Sequence, residues 1–199
     1  MYVYFEKLGF KTANANAKGP FLLLQGHINP PPLRRHWGVP GGHQDAKDVA
    51  IAKEMSRTTP VSPGQVCAAR EFIEEFLGDS HPRKARIEAV VRFLLLRPNL
   101  AVVDNDTTVW YVAFESAKDF EIAFGKRKAS VSDKYDSVIK AKETKGYIYL
   151  PINSLFVGVT QHKSGLNLVN YSFPNSLPFQ IFLRRGTVKP VIAGLSILT

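Results

Sequence analysis

The stretch REFIEEFLGD, Arg70 to Asp79, decides how the rest of the chain is read. On a helix, Glu71, Glu74 and Glu75 fall at i, i+3 and i+4 and share one face, while Phe72, Ile73, Phe76 and Leu77 cover the other. Like charges at that spacing cost roughly 0.2–0.5 kcal/mol per pair. A divalent cation reverses the sign, because Mg²⁺ prefers carboxylate oxygens and water and keeps room for phosphate oxygens. Two readings of the residues therefore stay open. In one, the acids are a solvated helix face, with Arg70 as an i,i+4 partner of Glu74. In the other, they are a metal-holding face beside a loop rich in Gly and Pro.

Working outward, SPGQ at 62–65 is a helix start. Ser62 can cap, Pro63 suits the first position and Gln65 can close a capping box. Gly78 is a natural terminator, so the spacing predicts a helix from about Pro63 to Leu77. Upstream, VYFEKLGF and FLLLQGHI read as strands separated by the loop KTANANAKG. NPPPLRRHWGVPGGHQD reads as a shaped loop throughout. DAKDVAIAKEMSR reads as a short helix with Val49, Ala52 and Met55 on one face. Downstream, RIEAVVRFLLLR, TTVWYVAFES and KGYIYLPI are β-branched and aromatic enough to be strands, with a turn or short helix at NSLFVGV. YSFPNSLPFQIFLRRGT reads as a C-terminal helix or an irregular strap. Strands on both sides of one long helix indicate a mixed α/β domain with a central sheet.

The 199 residues, 45% hydrophobic and 22% charged, suit one domain with a sizeable core, plus a modest C-terminal extension. One cysteine, Cys67, excludes an internal disulfide and reads as a small buried apolar side chain. Glu6 and Lys7 interrupt any signal-like apolar run, and the longest apolar runs are too short to span a bilayer. The expectation is a cytoplasmic protein with no membrane partner. A net charge of +9 favours polyanionic partners such as nucleotides, phosphorylated small molecules or RNA. Its basic residues gather at Arg34-Arg35, His81 to Arg86, Lys126 to Lys128, Lys140 to Lys145 and Arg184-Arg185.

WGVPGGHQD followed by AAREFIEEFLGD resembles the signature of the Nudix hydrolases. That signature runs Gly, five residues, Glu, seven residues, then Arg-Glu-apolar-any-Glu-Glu-any-Gly-apolar. Gly41 and Gly42 match its opening glycines after Trp37 to Pro40, and Ala68 to Phe72 with Glu74 and Glu75 match its helical half. FLLLQGH, TTVWYVAFES and ETKGYIYLPINSL resemble the flanking strands. The resemblance covers residues 1–157, with 158–199 as a C-terminal extension packed on the same domain.

It implies a Nudix-like α/β/α sandwich with a central mixed sheet. It also implies Mg²⁺- or Mn²⁺-dependent hydrolysis of a pyrophosphate bond in a nucleoside diphosphate linked to another group, capped RNA included. The alternative is a degenerate domain that binds nucleotide or RNA without turnover. By resemblance, Glu74 and Glu75 are metal ligands and Glu71 is a third ligand or the group that orients the water. Arg70 holds the carboxylates, and Gly42 brings a backbone carbonyl to the metal. Glu143 is the first candidate for a catalytic base, with Glu115 and Glu121 behind it. His27, His36 and His43 flank the loop and read as loop histidines rather than phosphate contacts. Trp37 and Tyr4 read as core aromatics rather than base-stacking ones.

Three departures stand out. Gly42 and Arg70 are 28 positions apart where the signature has 14, which places an insertion at about 46–61. The first signature Glu is absent: counting back from Arg70 reaches Ser62, and counting forward from Gly42 reaches Asp48. One residue is added before Gly78, because Phe76-Leu77 stand where one residue is usual.

Overall fold

Strand β2 (Phe21–Ile28) organises the sheet. Phe21, Leu22, Leu23 and Leu24 are all buried, so both faces of this strand are covered. That is why the segment reads as an unbroken apolar run rather than an alternation. The structure is a computed structural model describing residues 1–9, 20–28, 35–104, 106–125, 144–151, 159–161, 167–171 and 179–183.

The other described elements are β1 (Tyr2–Lys7), β3 (Arg35–Gly38), β4 (Asn99–Asp104), β5 (Thr107–Ser116), β6 (Thr144–Pro151), β7 (Val159–Gln161), β8 (Asn167–Tyr171) and β9 (Phe179–Leu183). Helices are α1 (Ala46–Met55), α2 (Pro63–Glu71), α3 (Lys84–Leu95) and α4 (Ala117–Phe124), with a π-helical turn at Phe72–Phe76 directly after α2. The fold is mixed α/β.

Three strands pair with β2, and their registers show how. β6 runs antiparallel along most of its length, from Phe21↔Pro151 to His27↔Thr144. β1 meets only the start, at Phe21 and Leu22, and β3 only the end, from Gln25 to Ile28. A strand has two edges, so β1 and β3 share one of them end to end, opposite β6. The sheet therefore forks. One branch continues β1–β5–β4, with β1 and β5 parallel, and the other β3–β9–β8–β7. The segment beyond residue 158 thus adds strands to the same sheet, through Trp37↔Leu183.

Registers also define the face that meets the helices. Val3 and Phe5 lie opposite Val112 and Phe114, Phe5 lies opposite Phe21, and Leu23 and Gln25 lie opposite Tyr149 and Tyr147. These apolar side chains join Ile73, Phe72, Phe76, Ile87, Val91, Leu94 and Phe120 in one core. Gln25 is the polar member of that row, and it is fully buried.

Several expectations are corrected. RIEAVVRFLLLR is helix α3, not a strand: Ile87, Val91 and Leu94 recur at helical spacing and are all fully buried against the core. Its β-branched content misled, whereas its period did not. The glycine- and proline-rich segment carries strand β3 at 35–38, because β2 offers a free edge there to pair with. In α1 the buried face is Asp48, Ile51, Ala52 and Met55, while Val49 is exposed. The long acidic helix is α only to Glu71 and π from Phe72. The proposed C-terminal helix or strap contains strand β9. Strand β4 and helix α4 were not foreseen. NSLFVGV, apart from Val159, and KTANANAKG lie outside the described residues. Among the described residues no helix is long and apolar enough to cross a membrane.

Candidate functional site

The capping box foreseen from SPGQ is present. Gln65 N donates to Ser62 Oγ at 3.2 Å, and Ser62 N donates to Gln65 Oε1 at 2.9 Å. This start fixes the rotation of α2, which delivers Arg70 to the interior. The π turn follows at once: Leu77 N donates to Phe72 O at 3.1 Å, and Asp79 N donates to Ile73 O at 3.1 Å around Gly78 (φ +76°). A π turn takes one more residue than an α turn over the same rise. Its inner side is held by Phe72 and Phe76, stacked at 5.2 Å.

Arg70 is the hub. Its Nε donates to Asp48 Oδ1 at 2.9 Å and its Nη2 to Asp48 Oδ2 at 3.0 Å, a two-pronged contact to an acid with no exposed surface. Nη2 also donates to the His43 carbonyl at 2.9 Å. Nη1 donates to Glu71 Oε1 at 2.8 Å and to Glu74 Oε2 at 3.1 Å. The hydrogen bonds to Asp48, above all, raise the guanidinium pKa further, so Arg70 stays charged. Asp48 accepts a further bond from Asp45 N at 3.0 Å as part of the box that caps α1. Helix α1 therefore supplies the acid that anchors Arg70. It is the residue reached by counting forward from Gly42, and its bidentate role was not foreseen.

Glu75 turns the other way, toward the fork in the sheet. Its Oε2 accepts from Gln25 Nε2 at 2.5 Å and from Gly41 N at 3.2 Å. The neighbouring Met1 amino group donates to Pro40 O at 2.6 Å, and burial lowers its pKa to about 6 against the opposing pull of Glu75. Gly42 presses on Glu71: a Cβ there would lie 2.1 Å from Glu71 Oε1. The glycine turn thus touches two of the acids on different sides, Glu71 against Gly42 and Glu75 on Gly41, while Glu74 stands beside Glu71 on Arg70.

Burial raises the pKa of Glu74, an effect opposed by Arg70 and reinforced by Glu71. Among the described residues no three or more His, Cys, Asp or Glu side chains are gathered as a ready-made metal site. Glu71 and Glu74 point to the guanidinium and Glu75 to Gln25.

Cys67 is buried, as expected, with its Sγ 3.8 Å from the Gly42 carbonyl; burial pushes its thiol up to about 12. Glu143 lies outside the described residues. Glu115 is on the surface, paired with Lys7 at 3.3 Å. Glu121 accepts from Tyr149 Oη at 2.9 Å and from Tyr147 Oη at 3.5 Å. The His43 side chain is exposed, and those of His27, His36 and Trp37 lie outside the description. Gln25 was missed altogether. Its only sequence signal is a polar residue directly after FLLL, inside a strand.

No protein-family model matches this sequence, and no curated protein matches it.

Proposed function

We propose that this chain is a Nudix-type hydrolase that cleaves a pyrophosphate bond in a nucleoside diphosphate linked to another group, with Mg²⁺ or Mn²⁺ as cofactor. The observation that carries the reading is that Glu71 stands against Gly42 and Glu75 on Gly41, with Glu74 beside Glu71 on Arg70. Residues far apart in the chain are thereby brought into hydrogen-bond or contact distance. An α/β/α Nudix sandwich over 1–157 is the finer form of the mixed α/β fold that this reading requires.

By residue type, Glu71, Glu74 and Glu75 offer the carboxylate oxygens that a hard cation takes, but in this structure they rest on Arg70 and Gln25 rather than around a shared point, so a bound ion would have to draw them from those partners. When bound, such an ion neutralises the diphosphate charge and lowers the pKa of a water that attacks phosphorus. The chain's own residues perform the remaining work. Arg70 presents Glu71 and Glu74 side by side and is itself locked by Asp48. Gly42 leaves the space that a side chain would take from the Glu71 carboxylate. The net charge of +9 favours a polyanionic substrate, which makes capped RNA an early member of the panel to test.

The test is release of monophosphate from a panel of nucleoside-diphosphate derivatives and capped RNA, with Mg²⁺ or Mn²⁺. Turnover that falls by roughly 100-fold or more in Glu74→Gln, with folding intact, supports the reading. Tight nucleotide or RNA binding without turnover at any metal concentration identifies the non-catalytic alternative instead.

A further inference from the structure

We propose that the outer flank of α1 and α3 is a docking surface for the phosphate backbone of single-stranded RNA. Binding there does not depend on the hydrolytic reading above. The choice of RNA over DNA does rest on it, because RNA is the nucleic acid that carries pyrophosphate linkages at its 5′ end.

The two helices pack against each other and bury one stripe apiece, Ile51, Ala52 and Met55 on α1 and Ile87, Val91 and Leu94 on α3. The outward positions carry cations: Lys47, Arg57, Arg83, Lys84 and Arg92 are all exposed. Their contacts join them into one surface. Lys47 Nζ donates to the Pro82 carbonyl at 3.1 Å, which ties the start of α1 to the turn that opens α3. Lys84 pairs with Glu54 of α1 and, at 3.7 Å, with Glu88, toward which Arg92 also turns at 3.8 Å. Lys84 above all, with Arg57 adding to it, lowers the pKa of Glu54, so Arg57 belongs to the same surface. Five cations thus stand with two acids, Glu54 and Glu88. Of the nearby acids, Asp45 is engaged by its own cap and lies 3.8 Å from Arg70, and Asp79 is paired with Arg86.

The excess charge is drawn out in length. At 1.5 Å per residue, Lys47 and Glu54 stand about 10 Å apart along α1, and Lys84 and Arg92 about 12 Å apart along α3. A chain of successive phosphates meets cations spread over such a distance, whereas one mononucleotide reaches only part of them. The residues between are small: Ala46, Ala50, Ala85 and Ala89 are all exposed, so a backbone can approach closely. Protein partners are anchored instead by aromatic side chains at the centre of the interface. Helix α1 has none, and Phe93 of α3 turns into the rings of Phe114 and Phe124. With no aromatic there to stack a base, the surface reads phosphates rather than sequence. Its position also fits. Lys47 is near enough to Glu74 to pull against the burial that raises the pKa of that acid. The cations therefore begin beside the carboxylate segment and lead away from it, as the strand of an RNA would from its 5′ end.

The test is fluorescence anisotropy of a labelled RNA of about 20 nucleotides with a 5′ triphosphate, titrated with protein in EDTA at several salt concentrations. Wild type is compared with the pair Arg57→Glu and Arg92→Glu, and with the pair Lys7→Glu and Lys118→Glu. Both pairs make the same change in net charge, but the second lies on β1 and α4. The expected result is affinity weakened about 10-fold or more in the first pair, with a salt dependence shallower by about 1.4 in log–log slope for two lost phosphate contacts. The second pair is expected to stay within about 2-fold of wild type. Equal weakening by both pairs, or no RNA binding by wild type at about 50 mM salt, overturns the surface. Vesicles of anionic phospholipid that bind in place of RNA, and lose binding in the first pair, assign the flank to a membrane and overturn it as well. DNA of the same sequence bound more tightly than the RNA overturns the choice of RNA. RNA binding that persists in EDTA while neither Mg²⁺ nor Mn²⁺ gives turnover removes the hydrolytic reading and leaves the surface standing. Thermal unfolding checks that each variant is folded, and if the first pair is not, Arg57→Ala with Arg92→Ala carries the same expectation in direction.

Discussion

The two sides of residues 70–76 are built on opposite principles. On the inner side, Phe72 and Phe76 enter an aromatic cluster with Phe120 at its centre. The Phe120 ring lies 5.1 Å from Phe114, 5.6 Å from Phe5, 6.1 Å from Phe72, 5.6 Å from Phe76 and 5.1 Å from Phe124. Such contacts are many, individually weak and tolerant of small shifts. On the outer side a single guanidinium binds three acids and a carbonyl, and each contact depends on the others. The aromatic side holds the segment in place, and the polar side fixes the angles at which its carboxylates stand. The difference teaches that stability and site geometry are separable here, although both hang on the same seven residues.

That separation can be broken most forcefully at Arg70. Arg70→Ala strands Asp48, which has no exposed surface, so a destabilisation of about 3–5 kcal/mol is expected in urea unfolding, together with loss of any metal-dependent turnover. Replacing the pair together, Arg70→Met with Asp48→Leu, is expected to recover much of the stability and none of the turnover. A cost below about 1 kcal/mol for Arg70→Ala alone would remove Arg70 as the hub.

Phe120→Ala empties the centre of the aromatic side. A loss of about 3–4 kcal/mol is expected, with turnover per folded molecule unchanged. Turnover that collapses while the protein stays folded would show that the two sides are coupled after all.

At the end of the π turn, Gly78 has φ +76°, a region that costs an L-residue about 1–2 kcal/mol. Gly78→Ala is expected to lower stability by that amount, measured as a shift in the denaturant midpoint.

Cys67 sharpens the comparison by pH, because it stands among charged groups yet behaves as an apolar one. Its thiol is raised from 9.0 to about 12, so its contribution is fully present below pH 9 and is lost as pH rises toward 12. The alkaline loss of stability in wild type is therefore expected to exceed that in Cys67→Ala over this window. Labelling by a small disulfide reagent at pH 8 should be far slower in the native than in the unfolded chain.

The smallest effect is expected at the exposed pair of Lys7 and Glu115, whose side chains are 63% and 75% exposed. Lys7→Ala should change stability by less than about 0.5 kcal/mol, since water screens what Arg70 and Asp48 feel in full. A larger effect would mean that ion pairing here does not depend on burial.

Much of this was legible in residues close together in the chain. Ser62, Gln65 and Gly78 marked the helix that carries the acids, because capping and termination are local chemistry. FLLLQGHI and TTVWYVAFES read as strands because long apolar and β-branched runs leave few alternatives. Helix α3 was misread where β-branched residues outweighed a helical period that became meaningful only once Ile87, Val91 and Leu94 were seen buried together. Strand β3 was missed because its strand character comes from the vacant edge of β2, not from its own residues.

By itself the sequence determined the acidic face, the glycine turn and the charge balance, since each depends on residue type and short spacing. Only the tertiary structure decided that Asp48 would lock Arg70, that the acidic helix would turn π from Phe72, and that Gln25 would reach Glu75. Those contacts join residues brought together by the forked sheet. The energies that select them, burial of a charge or an amide against a specific partner, do not exist until the chain has folded.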